Sequence, residues 1–202
     1  MKLYLTPGAC SLSPHIVAQE AGIVLELKKV DLRTKKVSDG SNYNEVNPKG
    51  SVPLLVLDDG TKLTEGPVIV QYLADQKPQS GLMPAPGSID RYRVLEWLNF
   101  EATELHKSFS PMFNPAAVPE WKQFAAAAIH RHFDYISKQL KDRQFLVGDR
   151  FTVADAYLFT ILGWGQYAGI DVAKWPVLKS YVDRIAARPK VQAALQAEKA
   201  LG

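Results

Sequence analysis

The sequence has a single cysteine, Cys10, among 202 residues. One thiol excludes an internal disulfide and a cysteine-rich zinc cluster and suits a reducing compartment. Any redox chemistry at Cys10 must borrow its second thiol from another molecule. No apolar run approaches the roughly 20 residues that a membrane-spanning helix needs. MKLYLTPGAC meets Pro7 and Gly8 before it builds the apolar stretch of a secretory leader. A cytoplasmic location away from membranes is the expectation. A strong charge bias is missing too: 24 Lys and Arg against 21 Asp and Glu leave a formal charge of +3. That falls short of the clustered basic stripe of a nucleic-acid binder, so no DNA or RNA partner is expected. Internal repeats and low-complexity tracts are also lacking. What remains is 47% hydrophobic and 22% charged, the make-up of a globular chain whose length fits one large or two small domains.

Secondary-structure signals divide the chain in two. KLYL at 2–5 is a short apolar run closed by Pro7-Gly8, and Ser13-Pro14 has the form of an N-cap with proline at the first helical position, leading into HIVAQEAG. LELKKVDL at 25–32 partly alternates, LLVL at 54–57 is a buried-type strand, and Asp58-Asp59-Gly60 is a hairpin turn. A second helix is predicted from near Thr64. This order predicts a small mixed sheet with a helical crossover between its early strands. KPQSGLMPAPGS at 78–88 and the residue before it carries three prolines and two glycines in twelve residues, the punctuation of an interdomain linker. Beyond it only helices are predicted. The first is capped by Ser88 and runs through 89–109 with Leu98, Ala102, Leu105 and Phe109 on one stripe. WKQFAAAAIHRHFDYISKQL is another, Thr152 with Asp155 forms a capping box for the next, and 177–187 and 190–200 close the chain.

Several residues are placed where chemistry is possible. Cys10 lies between a strand and a helix start, where free backbone N–H groups and the helix dipole stabilise a thiolate, its own or a ligand's. A small buried hydrophobe is the other open reading, the commoner role of a free cysteine. Val52-Pro53 precedes the LLVL strand, where a thioredoxin-like sheet holds a cis-proline and exposes backbone that can pair with an extended peptide. Glu65-Gly66 at a helix start can take an ammonium on the side chain and a carboxylate on the N–H groups; dipole complementation is the alternative. Asn99, Thr103 and His106 form a polar stripe beside the apolar one. His106, with a reference pKa of about 6.5, is a candidate hydrogen-bond donor to sulfur or a proton shuttle near neutral pH, or else part of a solvated face. His130 and His132 are read as surface residues.

KLYLTPGACSLSPHI, NPKGSVPLLVLDDGTKLTEGPVIVQYLAD, EWLNFEATELHKSFSP and FTVADAYLFT together resemble the beta-class bacterial glutathione S-transferases, in the family's order and over nearly the whole chain. The resemblance implies an α/β thioredoxin-like glutathione-binding domain (1–77), a linker (78–88) and an all-α domain (89–202) with an apolar substrate site. It also implies a homodimer, with glutathione as co-substrate in a cleft between the domains and no metal. Cys10 would face the glutathione sulfur and Lys35 the glycyl carboxylate. Val52 with Pro53 would pair with the cysteinyl backbone, and Glu65 with Gly66 would hold the γ-glutamyl end. Asn99 and the turn of Thr103, Glu104, Leu105 and His106 would line the cleft, with Cys10 and His106 as the catalytic pair. Phe109, Pro111, Met112, Phe113 and Trp164 are candidates for the apolar pocket.

Two departures bear on this. The wider superfamily often has serine where this chain has Gly66, which removes a hydroxyl from the γ-glutamyl site. Members that use an N-terminal tyrosine or serine direct attention to Tyr4 and Ser11. The leading activity is conjugation of glutathione to an apolar electrophile. A glutathione-dependent thiol-disulfide oxidoreductase or peroxidase working through a Cys10 mixed disulfide and a non-enzymatic ligand binder are the alternatives.

Overall fold

Leu3 and Leu5 of the first strand, β1 (Lys2–Leu5), are fully buried while Lys2 is exposed, the period-two pattern of a strand packed on one face. The computed structural model describes residues 1–202. It adds strands β2 (Glu26–Asp31), β3 (Lys36–Val37), β4 (Leu54–Val56) and β5 (Lys62–Thr64). They form one sheet in the order β3-β2-β1-β4-β5. β1 pairs parallel with β2 across the helical connection α1 (Leu12–Ala21), and antiparallel with β4, setting Leu3 opposite both Leu27 and Leu55. The Asp58-Asp59-Gly60 turn joins β4 to β5 as the sequence predicts, with Gly60 N–H donating to the Leu57 carbonyl at 3.0 Å.

One face of this sheet carries Val30, Val37, Tyr43, Val52 and Leu54, with Tyr4 packed against them. Leu3, Leu5 and Leu55 alternate to the other face and are fully buried, as are Ile16 and Val17 of α1 and Ile69, Val70 and Leu73 of α3 (Gly66–Asp75). Burying side chains of this size contributes about 1.5–3 kcal/mol each. The stretch between β2 and β4, to which the sequence assigns no element, contains β3 and a single helical turn, α2 (Tyr43–Val46).

Two helix starts differ from expectation. α1 begins at Leu12, so Pro14 is its third residue. Proline is tolerated there because the first four N–H groups of a helix have no intrahelical acceptor. Ser13 does not cap; its hydroxyl donates to the Cys10 carbonyl at 2.9 Å. α3 starts at Gly66 because Thr64 is still paired with Leu54 in the sheet.

The helical part comprises α4 (Ile89–Phe100), α5 (His106–Phe113), α6 (Pro119–Leu140), α7 (Val153–Gly163), the short α8 (Gly165–Ala168) and α9 (Pro176–Ala186). Ser88 caps α4 by accepting from Arg91 N–H at 3.3 Å. The helix predicted as continuous over 89–109 is interrupted by a π turn, Glu101–Leu105, closed by His106 N–H donating to the Glu101 carbonyl. Leu98, Leu105 and Phe109 remain buried. The Thr152 N–H and hydroxyl both donate to Asp155 Oδ2, at 2.8 and 2.9 Å, at the head of α7.

By packing, the chain forms two compact units, Met1–Met83 with Arg188–Gly202, and Pro84–Ala187. The last helix, α10 (Pro189–Ala200), expected with the helical domain, therefore belongs to the sheet unit. Polar contacts explain why: Arg188 makes a two-pronged ion pair with Glu20 at 2.7 and 2.9 Å, His15 meets Glu198 at 3.1 Å, and Lys29 donates to the Leu201 carbonyl at 2.8 Å. No helix is long and apolar enough to cross a membrane.

Candidate functional site

In the sheet unit, the loop between β1 and α1 is shaped by local bonds. Ala9 N–H donates to the Thr6 carbonyl at 3.0 Å, and the Thr6 hydroxyl donates to the Val30 carbonyl at 2.7 Å. Gly8 takes a left-handed φ of 73° that a side chain resists. Cys10 is half-buried at the foot of α1, and its thiol donates to the Val52 carbonyl at 3.2 Å. The Val52-Pro53 bond is cis. Neither rival to Cys10 is suitably placed. Ser11 is fully buried and exchanges hydrogen bonds with the Thr6 backbone, while the partly buried Tyr4 packs against the core with its ring tilted on Tyr43 at 5.6 Å between centroids.

Lys35 and Glu65 are the two non-glycine residues with positive φ, 56° and 69°. Such a backbone costs about 1–3 kcal/mol per residue and clusters at functional sites. Lys35 Nζ donates to the Gly50 carbonyl at 2.7 Å. Glu65 precedes α3, with Gly66 buried at the first helical position, and its carboxylate accepts from Lys49 Nζ at 2.7 Å. Lys49, which also reaches the Thr64 hydroxyl at 2.9 Å, was not singled out from sequence. Its place in NPKGSVP, beside a motif already quoted, was the available signal.

In the helical unit, His106 Nδ1 lies 2.6 Å from the Tyr157 hydroxyl, and its ring meets Trp164 edge-on at 4.7 Å. Burial, with the nearby charge of Lys107, lowers its pKa to about 4. The imidazole is therefore neutral near pH 7, and its titration lies well below the neutral range expected from the sequence. A neutral imidazole that accepts from the Tyr157 hydroxyl at Nδ1 carries its hydrogen on Nε2. Tyr157 had no sequence signal beyond lying in FTVADAYLFT. Asn99, Thr103 and Glu104 are exposed. The Thr103 hydroxyl donates back to the Asn99 carbonyl at 3.0 Å. Leu105 is fully buried, so its side chain belongs to the core rather than to a cleft wall. Of the apolar candidates, Phe109, Phe113 and Trp164 pack together at 5.7–6.2 Å between centroids; Phe109 and Trp164 are buried and Phe113 is half exposed. Pro111 is buried and Met112 half-buried. His132 is not a plain surface residue, since it meets Phe100 edge-on at 5.4 Å.

A second polar cluster is fully buried in this unit. Asp155 accepts from Leu146 N–H at 3.0 Å and from the Tyr181 hydroxyl at 2.9 Å, besides Thr152. Glu101, on the π turn, has no hydrogen-bond partner for either carboxyl oxygen. Burial, reinforced by the charge of Asp155, raises its pKa well above the ordinary value. An open groove of about 890 Å³ over Trp97, Phe100 and Tyr135 contains none of the expected site residues.

A β-α-β sheet unit with a cis-proline beside a half-buried thiol, followed by an all-helical unit, is the glutathione S-transferase fold. Residues 8–76 match the family model for the glutathione S-transferase N-terminal domain, and residues 100–189 the C-terminal domain. The chain is 47% identical to glutathione S-transferase GstA of Escherichia coli, covering 98% of each. It is 50% identical to a sphingomonad glutathione S-transferase solved with glutathione, with a TM-score of 0.95, covering 98% of this chain and 99% of that one. A beta-class glutathione S-transferase from Sphingomonas chungbukensis gives 47% identity and a TM-score of 0.95, covering 98% of each chain. The chain belongs to the glutathione S-transferase family, in its bacterial beta class.

Proposed function

We propose that this protein is a glutathione transferase that binds glutathione as co-substrate and transfers its thiolate to apolar electrophiles. The observation that carries the reading is the coincidence of strain and chemistry: Lys35 and Glu65, the two left-handed non-glycine residues, are the two charged side chains assigned to the ends of the tripeptide. Lys35 takes the glycyl carboxylate. Val52, with Pro53 fixing its backbone, pairs with the cysteinyl unit. Glu65 takes the γ-glutamyl ammonium, exchanging it for Lys49, and the N–H groups opening α3 at Gly66 take the carboxylate. Lys49, freed from Glu65, adds a second cation for the same carboxylate.

Cys10 sits at the glutathione sulfur, where the start of α1 favours the thiolate. Neutral His106 donates from Nε2 to the same sulfur. Asn99, Thr103, Glu104 and the backbone of Leu105 complete the glutathione contacts on the helical side, and Phe113 offers the exposed apolar surface for the electrophile. The thiolate attacks the electrophilic carbon, and the leaving group departs with its electron pair. The protein acts as a homodimer in the cytoplasm, where its one thiol stays reduced.

Glutathione-dependent conjugation of a chlorinated dinitroaromatic, followed by absorbance, tests the activity. Tight calorimetric glutathione binding without turnover of any such electrophile would overturn it. Sedimentation equilibrium at twice the chain mass is expected for the dimer.

A further inference from the structure

We infer that Glu101 is a proton-controlled switch for the turn that carries His106: as a neutral acid it holds the π turn, and on losing its proton it leaves the interior and releases that turn. This rests on the reading of His106 as the residue beside the glutathione sulfur. Glu101 opens the π turn Glu101–Leu105 and is fully buried. With Leu98, Leu105 and Phe109 it completes the buried stripe, in the place that helical spacing gave to Ala102, which is only partly buried. One residue thus has two connections. Its carboxyl lies within electrostatic reach of Asp155, and its main-chain carbonyl accepts the N–H of His106.

No group around Glu101 holds its charge. From α7, Asp155 faces it as a second carboxyl. Oδ1 of Asp155 already accepts from Leu146 N–H and the Tyr181 hydroxyl, and Oδ2 from the N–H and hydroxyl of Thr152. Those four donors are spent on Asp155, and none is left for Glu101. From α9, Arg184 lies over the Tyr181 ring at 5.7 Å, and its Nη2 donates to the Gln144 carbonyl at 2.8 Å. On the turn itself and on α5, Glu104 and Lys107 are exposed. Neither oxygen of Glu101 has a hydrogen-bond partner. A buried charge without a partner is far costlier than the neutral acid, so an ionised Glu101 must move to water. Thr103 and Glu104, on the same turn, are already exposed. Turning residue 101 outward carries its carbonyl away from His106. The His106 N–H then passes to the Ala102 carbonyl, the acceptor four residues back in an ordinary α-helix. The turn thus has a second discrete arrangement, in which the imidazole rotates away from Tyr157 and Trp164.

The test reads the ring of His106, which is already neutral near pH 7, so a change there at alkaline pH reports its surroundings. In proton–carbon NMR spectra of the full-length protein, its ring resonances are expected to show an inflection between about pH 7 and 9.5, a range that spans documented buried glutamates. The buried ring of His15, in the sheet unit, should not move with it. Glu101→Gln and Glu101→Leu, which cannot ionise, should abolish the inflection. Tyr157→Phe should keep it, which excludes the neighbouring phenol as its source. In parallel, the ratio of kcat/KM at pH 9.5 to that at pH 7.5 should be about 2–10-fold lower in the wild type than in Glu101→Gln, the range for one lost hydrogen bond. An inflection that persists in Glu101→Gln, none in the wild type, or one shared with His15 through general unfolding overturns the inference. If Glu101→Gln does not fold, Glu101→Leu decides in its place. Equal kcat/KM ratios overturn the inference too, provided that His106→Asn is impaired at pH 7.5. An unimpaired His106→Asn instead marks failure of the underlying reading, and the NMR comparison, which needs no glutathione, then decides the role of Glu101.

Discussion

The hydroxyl of Tyr157 lies 2.6 Å from Nδ1 of His106, across 51 residues of sequence, and the indole of Trp164 meets the same ring edge-on at 4.7 Å between centroids. These two contacts bury the imidazole and hold it neutral. Because the folded-state pKa of about 4 lies below the unfolded value, the associated stability is present above about pH 6.5. It is lost as pH falls through the folded value. An NMR titration of His106 should give a midpoint near 4, and His106→Asn should flatten the loss of stability in that window. A midpoint near 6.5 would contradict the burial argument. Tyr157→Phe should lower kcat/KM by about 2–10-fold, the range for one neutral hydrogen bond.

Glu101 has the opposite sign. Its carboxyl is fully buried without a partner and its pKa is raised. The neutral form is therefore the folded one, and stability is full below the unfolded pKa and lost as pH rises through the folded value. Glu101→Leu should stabilise the protein by about 1–3 kcal/mol by removing an unsatisfied buried group. Glu101→Gln should remove the alkaline decline without that full gain. Chemical denaturation at pH 6 and pH 9 measures both, and an unchanged pH dependence in Glu101→Gln would remove Glu101 as its source.

Gly165 follows Trp164 directly, and a Cβ there would lie 2.5 Å from the Ile170 carbonyl oxygen, a backbone atom with little room to yield. Gly165→Ala should cost about 1–3 kcal/mol from overpacking. It should also shift the fluorescence of Trp164, measured with the other tryptophans replaced. Unchanged denaturation and emission would show that the Gly165–Ile170 turn relaxes freely.

The ion pair of Lys49 with Glu65 is exposed, so by itself it contributes little stability. Its importance is to ligand exchange. Glu65→Gln should weaken glutathione binding by about ten-fold or more, the loss of one charge-assisted contact, with thermal stability nearly unchanged. Lys35→Met should do the same. In both cases calorimetry should show a smaller salt dependence than in the wild type.

Much of the fold was legible because its signals are local. Pro7-Gly8 closes β1, Asp58-Asp59-Gly60 turns β4 into β5, and Ser88 caps α4. The π turn at Glu101–Leu105 was not legible, since the sequence on either side keeps a helical period and the extra residue in the turn has no composition of its own. The site was legible as residue types in family order, but not as states. His106 reads as a group with a pKa near neutrality until Tyr157 and Trp164 bury it.

The sequence by itself determined the order of elements, the single thiol at the start of α1 and the membership of this chain in its family, because these depend on neighbours within a few residues or on motif order. Only the tertiary structure decided that α10 packs on the sheet unit, that Glu198 holds Gly8 across 190 residues, that Glu101 lacks a partner and that His106 is neutral. Burial and long-range pairing depend on which surfaces meet, and no local pattern encodes that.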